Sequence, residues 1–317
     1  MKTNSWVVSR QTEAAMRSSR LIKFLRYWDL YLMILPAVIL VILFKYMPMY
    51  GVLIAFKDYN LMKGVWQSDW VGLQYFRELF MFDEFPRVVR NTLMISLMKL
   101  LVGFPIPIVL ALLLNELKFL KFKRTVQTLT YLPHFISWVI IGGLAIDLLS
   151  PSSGIVNRII EMLGFQPIFF MSDERIFRWI LVLSDVWKEA GWGAIIYLAA
   201  LLGINEELYQ AATVDGANRL RQIWHIALPG LRSTIIIILL LRIGYILDAG
   251  FEQVLVMYNP TVYDVADIID TYVFRVGLGS MQFGLTTAAG LFKSAIGCVL
   301  LVLANTFARK MGEEGIF

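Results

Sequence analysis

Tyr209-Gln210-Ala211-Ala212-Thr213-Val214-Asp215-Gly216-Ala217-Asn218, closed by Ile226-Ala227-Leu228-Pro229, is a short polar island between two long apolar runs. Its residues predict two small helices meeting at a tight bend. Asn205 is placed to N-cap the first helix, with Glu206 and Glu207 in the first turn, where the helix dipole favours negative charge. Gly216 stands where a left-handed C-terminal cap belongs. Asn218 can cap the second helix, and Pro229 is expected just after that helix ends. Ala211 and Ala212 leave a low surface that another protein could approach closely.

Working outward, the rest of the chain is unusually apolar. Of 317 residues, 58% are hydrophobic and 17% charged, with a mean hydropathy of +0.66. A soluble domain carries about 45–50% apolar and 25% charged residues, so this composition predicts an integral membrane protein. The net charge of +5 does not point to nucleic acid, because the cations lie between apolar runs, where they orient spans. A single cysteine, Cys298, excludes an internal disulfide and a zinc cluster.

The chain reads as a polar, basic tail over 1–28, a six-span domain over 29–308 that contains the loop 205–229, and a short tail over 309–317. The spans are expected near 30–55, 92–114, 129–149, 176–202, 233–251 and 286–307. Each is long enough for a hydrocarbon core about 30 Å thick. Residues 57–91 hold Trp66, Trp70, Tyr75, Phe76 and Phe80, as expected of an interfacial segment, while 252–285 reads as a polar, acidic connection. Lys and Arg number fifteen on the side holding both tails and the 205–229 loop, against eight on the other. That bias places both termini and the loop in the cytoplasm.

With these residues in view, the opening stretch resembles the cytoplasmic signature of permease subunits of binding-protein-dependent ABC importers. Ala211, Ala212, Gly216, Ile226, Leu228 and Pro229 match at the family's spacing, while the family's first Glu is Gln210 here. The order of spans, and the run Leu183-Ser184-Asp185-Val186-Trp187-Lys188-Glu189-Ala190-Gly191-Trp192, are similar to the maltose-type carbohydrate permeases. Met47-Pro48-Met49-Tyr50-Gly51 and Trp70-Val71-Gly72-Leu73 resemble the branch for polysaccharide and complex-oligosaccharide uptake, which includes permeases for alginate and rhamnogalacturonan fragments.

The resemblance implies an all-α polytopic protein of the type I importer permease kind, with a coupling helix between spans 4 and 5. Its implied ATPase-coupling residues are Gln210, Ala211, Ala212, Asp215, Gly216, Ile226, Leu228 and Pro229. The implied partners are a second homologous permease, two copies of an ABC ATPase, an extracytoplasmic solute-binding protein and membrane lipid. ATP and magnesium would belong to the ATPase, since this chain has no Gly-x-x-x-x-Gly-Lys-Ser/Thr phosphate loop. No catalytic residues, metal site or nucleic-acid partner are expected, and the location is a prokaryotic cell membrane.

Charges inside the fourth span carry the remaining signal, because an ionisable residue at membrane depth faces a partner or a wet cavity. Asp185 and Lys188, three residues apart, are placed to neutralise each other. Asp185, Trp187, Lys188, Glu189 and Trp192 then form either a carbohydrate path, with aromatic faces and polar edges, or a subunit-interface ion pair with interfacial Trp anchors. His134, beside Pro133, reads as a packing or capping residue. The competing class is a secondary transporter or channel with a helical cytoplasmic loop, which usually has more spans and an inverted repeat; no clear internal repeat is found.

Overall fold

The computed structural model describes residues 27–310, so most of the expected 1–28 tail, and 311–317 of the C-terminal one, lie outside the described residues. The chain divides into two compact units, Met1–Leu53 and Ile54–Phe317. In the first unit, α1 (Trp28–Val41) runs into a π-helical turn, Ile42–Tyr46. A 3-10 stretch, Met47–Phe56, then leads into the second unit.

The second unit opens with a two-residue antiparallel ladder, β1 (Lys57–Asp58) against β2 (Asp69–Trp70), enclosing the single turn α2 (Gly64–Gln67). Next come α3 (Gln74–Met81), α4 (Glu84–Met98), α5 (Pro105–Glu116), α6 (Leu120–Tyr131), α7 (Trp138–Leu149), α8 (Ile155–Met162) and α9 (Glu174–Leu202). Then follow α10 (Glu206–Val214), α11 (Arg219–Gln222), α12 (Leu228–Gly244), α13 (Phe251–Met257), α14 (Tyr263–Ala266), α15 (Ile269–Phe274) and α16 (Phe283–Lys310). Among the described residues, four helical segments are long and apolar enough to cross a membrane: Trp28–Phe56, Glu84–Glu116, Arg219–Gly244 and Phe283–Lys310. A fifth counts if Leu120–Phe135 and Trp138–Leu149 make one span. Helix α9 has the length, about 44 Å for its 29 residues, but it carries its charges in mid-helix.

Three expectations about the spans need correction. The third span is not straight: its halves meet at 101°. Pro133 sits at this break, and Ser137 Oγ starts the next helix by accepting from the Ile140 amide at 3.4 Å. The fifth helix stops at Gly244 rather than continuing to Phe251, and a turn ending at left-handed Gly250 (φ +93°) begins α13. Residues 252–285 are a structured layer, because their polar groups point inward to specific partners. Asn91 donates to the carbonyls of Asp264 (3.1 Å) and Asp267 (3.2 Å), and Arg178 donates to Asn91 Oδ1 (2.9 Å) and the Val265 carbonyl (2.9 Å). Asp267 accepts from Thr271 and Arg275 at 2.7 and 2.6 Å; burial nevertheless pushes its carboxyl above the ordinary value, against the pull of both donors.

The aromatic segment packs one side of its rings on the fold and leaves the other exposed. Phe80 packs edge-on to Phe85 (5.5 Å) and Phe292 (5.3 Å), joining α3 and α4 to α16. Trp66 and Trp70 stay exposed.

Small residues set the closest approach in the middle of the molecule. A Cβ on Gly191 of α9 would lie 2.0 Å from the Thr130 carbonyl of α6. This is the small-residue contact that drives helix association in lipid, where no hydrophobic effect separates helix from solvent. Gly191→Val is therefore expected to cost about 3 kcal/mol or more through overpacking, and Gly290→Ala, whose Cβ meets nothing within 4 Å, to be neutral or stabilising. Thermal unfolding of the two purified variants in detergent measures the contrast; equal transitions would contradict it.

Candidate functional site

Two places in the fold concentrate polar chemistry: the turn between α9 and α12, and a cavity at mid-molecule.

The turn is built as its residues require. Asn205 Oδ1 accepts from the Glu207 amide at 3.0 Å, and Asn218 Oδ1 from the Arg221 amide at 2.9 Å. Gly216 has φ +75°. The Ala217 amide reaches the Ala212 carbonyl at 2.8 Å and the Gly216 amide the Thr213 carbonyl at 3.1 Å, the double bond of a Schellman cap. Gln222, buried, ties the two helices by donating to Thr213 Oγ1 (3.0 Å) and the Ala217 carbonyl (3.3 Å). Arg219 lies 3.5 Å from Glu116 at the end of α5. Gln210, Ala211 and Asp215 are exposed, Ala212 half-buried. Leu208, Val214, Leu220 and Trp224 also face outward, an apolar rim around the turn.

Pro229 is placed differently from expectation. It does not follow the end of the second helix; Arg219–Gly244 is one continuous helix, with Ile226 in a π turn (Ile223–Ala227) and Leu228 and Pro229 opening α12. A proline inside an α-helix lacks the N–H for the carbonyl four residues back and presses its ring on it. The widened turn, just N-terminal to the proline, absorbs that mismatch.

The cavity, about 480 Å³, lies between the end of α4 with its π turn Lys99–Gly103, the start of α5, the middle of α9, and α12 with the turn after it. Lys99 organises it. Its Nζ donates to Asp185 at 3.1 Å, to the Ala249 carbonyl at 2.9 Å and to Gln253 Oε1. Gln253, fully buried, donates in turn to the Leu181 carbonyl (2.7 Å) and Ser184 Oγ (2.8 Å). Gly250 is required here twice over, by its φ and because a Cβ would sit 2.7 Å from Lys99 Nζ.

Of the five residues expected in a path, Asp185 and Trp192 line the cavity. The expected Asp185–Lys188 pair does not form. Asp185 takes Lys99, and Lys188 donates to the carbonyls of His134 and Ile136, both at 2.6 Å. The bend in the third span frees those carbonyls where lipid offers no water, so a buried donor has to meet them. Glu189 contacts His134 Nδ1 at 3.0 Å, and the His134 ring stacks on Trp192 at 4.5 Å with 1° between planes. His134 thus belongs to this cluster. Trp187 is exposed and outside the cavity lining. Sequence reasoning passed over Lys99, Ser96 and Tyr197; for Lys99 the signal was present, an ammonium in the middle of an apolar span.

Helices of membrane length around a largely apolar cavity that carries a few charged side chains, joined by a capped turn with an exposed apolar rim, define an integral membrane transport component. Residues 86–313 match the model of the binding-protein-dependent transport system inner membrane component. The chain belongs to that family and is a permease. It is 48% identical over 301 residues to the polygalacturonan/rhamnogalacturonan transport system permease protein YteP of Bacillus subtilis (strain 168), covering 95% of this chain and 94% of that one. Protein LplB of the same organism is 48% identical, with 91% of each chain covered. A chain from the crystal structure of a bacterial alginate ABC transporter, in complex with an alginate pentasaccharide-bound periplasmic protein, superposes with a TM-score of 0.86. It is 41% identical and covers 93% of this chain and 98% of its own.

The partly buried pair at the cavity gives a stability test. Lys99→Met leaves Asp185 charged and unpaired, which costs about 3–5 kcal/mol. Adding Asp185→Asn is expected to return part of that loss, so that the double variant unfolds at a higher temperature than Lys99→Met alone. Additive losses would mean that the two side chains do not interact.

Proposed function

We propose that this chain is one permease of an ATP-driven importer, and that with a second, homologous permease it forms the path for an oligosaccharide or polysaccharide fragment delivered by a solute-binding protein. The observation that carries this is the near full-length identity of 48% to a polygalacturonan/rhamnogalacturonan permease. The solved relative supports the delivery step, since it is described with an oligosaccharide-bound periplasmic protein. The family match disfavours a secondary transporter or channel.

The path in this reading passes the cavity, with Asp185 and Trp192 on its wall. Lys188 and Glu189 hold the broken third span and His134 beneath it; Trp187 faces elsewhere. The importer carries two copies of an ABC ATPase, and one of them docks at this chain's turn around Gln210, Ala211, Ala212, Asp215 and Gly216. The exposed Leu208, Val214, Leu220 and Trp224 supply the apolar contact there. Ile226, Leu228 and Pro229 carry the motion into α12, because the turn and the span are one helix. ATP and magnesium are bound by the ATPases. Six crossings, counting α9 and the bent third span, put both termini on the cytoplasmic side with the turn, in agreement with the fifteen-to-eight bias of Lys and Arg.

Two outcomes test this reading. In the reconstituted complex, Ala212→Asp is expected to abolish transport and substrate-stimulated ATP hydrolysis together, because it buries a charge without a partner at the contact. Gln210→Glu is expected to keep both, as an exposed ion pair is worth only about 0–1 kcal/mol. Wild-type behaviour of Ala212→Asp would remove the turn from the coupling path. For topology, a cysteine at Asp264 in a Cys298→Ser background should react with an impermeant maleimide added to intact cells, and one at Ser5 should not; labelling at position 5 inverts the model.

A further inference from the structure

The cavity wall carries four charged side chains: Lys99, Asp185, Arg242 and Asp248. Three of them are matched. Lys99 is 3.1 Å from Asp185. Asp248 lies 3.8 Å from Lys293, whose ammonium also holds Asp270 at 2.7 Å. Arg242, exposed on the last turn of α12, has no carboxylate within 4.0 Å among the described residues. Of the two cations on this wall, Arg242 is therefore the one without a carboxylate among the described residues, and it is a guanidinium, whose planar fork suits a carboxylate.

Ser96 and Tyr197 stand on the same wall, with their hydroxyls enclosed behind its surface and without a hydrogen-bond partner among the described residues. Trp192, stacked on His134 and about half exposed, adds an aromatic face at the same place. An exposed guanidinium beside an aromatic face suits a uronic acid residue, which joins a carboxylate to a ring with an apolar face.

We infer that Arg242 is the specificity-determining cation of the path and takes the carboxylate of a uronate unit. The inference rests on the oligosaccharide reading above. It goes beyond that reading in assigning the acidic character of the sugar to a named side chain. A carboxylate from the second permease could instead meet Arg242, and the test separates the two.

The experiment uses the full importer in proteoliposomes with its ATPase and solute-binding protein. Initial uptake of trigalacturonate is compared with that of its methyl ester, each at a concentration that saturates the solute-binding protein. Arg242→Gln is expected to lower the acid-to-ester ratio about tenfold, the effect of losing hydrogen bonds to a charged group, and Arg242→Lys to give an intermediate ratio. Tyr197→Phe should leave the ratio unchanged. If Arg242→Gln slows acid and ester equally, or neither, Arg242 does not read the carboxylate and the inference is overturned while the importer reading stands. If Arg242→Gln does not assemble, a wild-type ratio in Arg242→Lys overturns it equally. If wild-type complex hydrolyses ATP with loaded binding protein but imports neither sugar, the oligosaccharide reading fails, and this inference with it.

Discussion

The ammonium of Lys188 resting on the His134 and Ile136 carbonyls makes the centre of this fold possible. A helix broken by 101° at membrane depth exposes backbone carbonyls to a medium that cannot solvate them. One long, flexible donor from the neighbouring helix meets them, and Gly191 allows that helix close enough to do so. A Cβ on Gly191 would strike the Thr130 carbonyl, and one on Gly193 would press on Pro107 at 3.2 Å. The break, the lysine and Gly191 therefore depend on one another. With the bend in place, His134 comes to lie over Trp192, and the cavity acquires its aromatic edge.

Lys99 does the equivalent work on the other side of the cavity. It joins the π turn after α4, the middle of α9 and the turn before α13 through three acceptors. These elements are far apart in sequence, and each offers a polar group that would be costly to bury alone. Using one cation for all three leaves Arg242 as the wall's one cation without a carboxylate among the described residues. A transport path needs such a balance: enough charge to select a ligand, and not so much that the ligand stays bound.

Three of the π turns share a sequence cause. Ile42–Tyr46, Lys99–Gly103 and Ile223–Ala227 each end two residues before a proline, at Pro48, Pro105 and Pro229. The proline's missing N–H and its ring clash both fall on the carbonyl four residues earlier, and in all three cases that carbonyl lies inside the widened turn. These prolines therefore do not end the helices, as a simple reading of helix stops would have it. They change the pitch and let the helices run on. At Pro229 this makes the capped turn and α12 one lever. The fourth π turn, Arg275–Gly279, has no proline after it, and nothing in the structure explains it.

The amino-acid sequence by itself determined the membrane class, the approximate positions of the helices and the capped turn. Each of these follows from local chemistry: apolar run length, Asn205 and Asn218 as caps, and Gly216 at a left-handed position. The Ala-Ala-x-x-x-Gly spacing with Ile226, Leu228 and Pro229 was enough to bring the family into view. Tertiary structure decided which charges meet. Spacing along one helix paired Asp185 with Lys188, but each found a stronger partner on another element, Lys99 for Asp185 and freed backbone carbonyls for Lys188. The local pair lost because an i,i+3 contact on one helix contributes only about 0.2–0.5 kcal/mol, whereas leaving a buried ammonium or a freed carbonyl unmet costs several times that. Which side chains face the cavity, and that Arg242 faces it without a carboxylate, follow from those non-local pairings and could not be read from the order of residues.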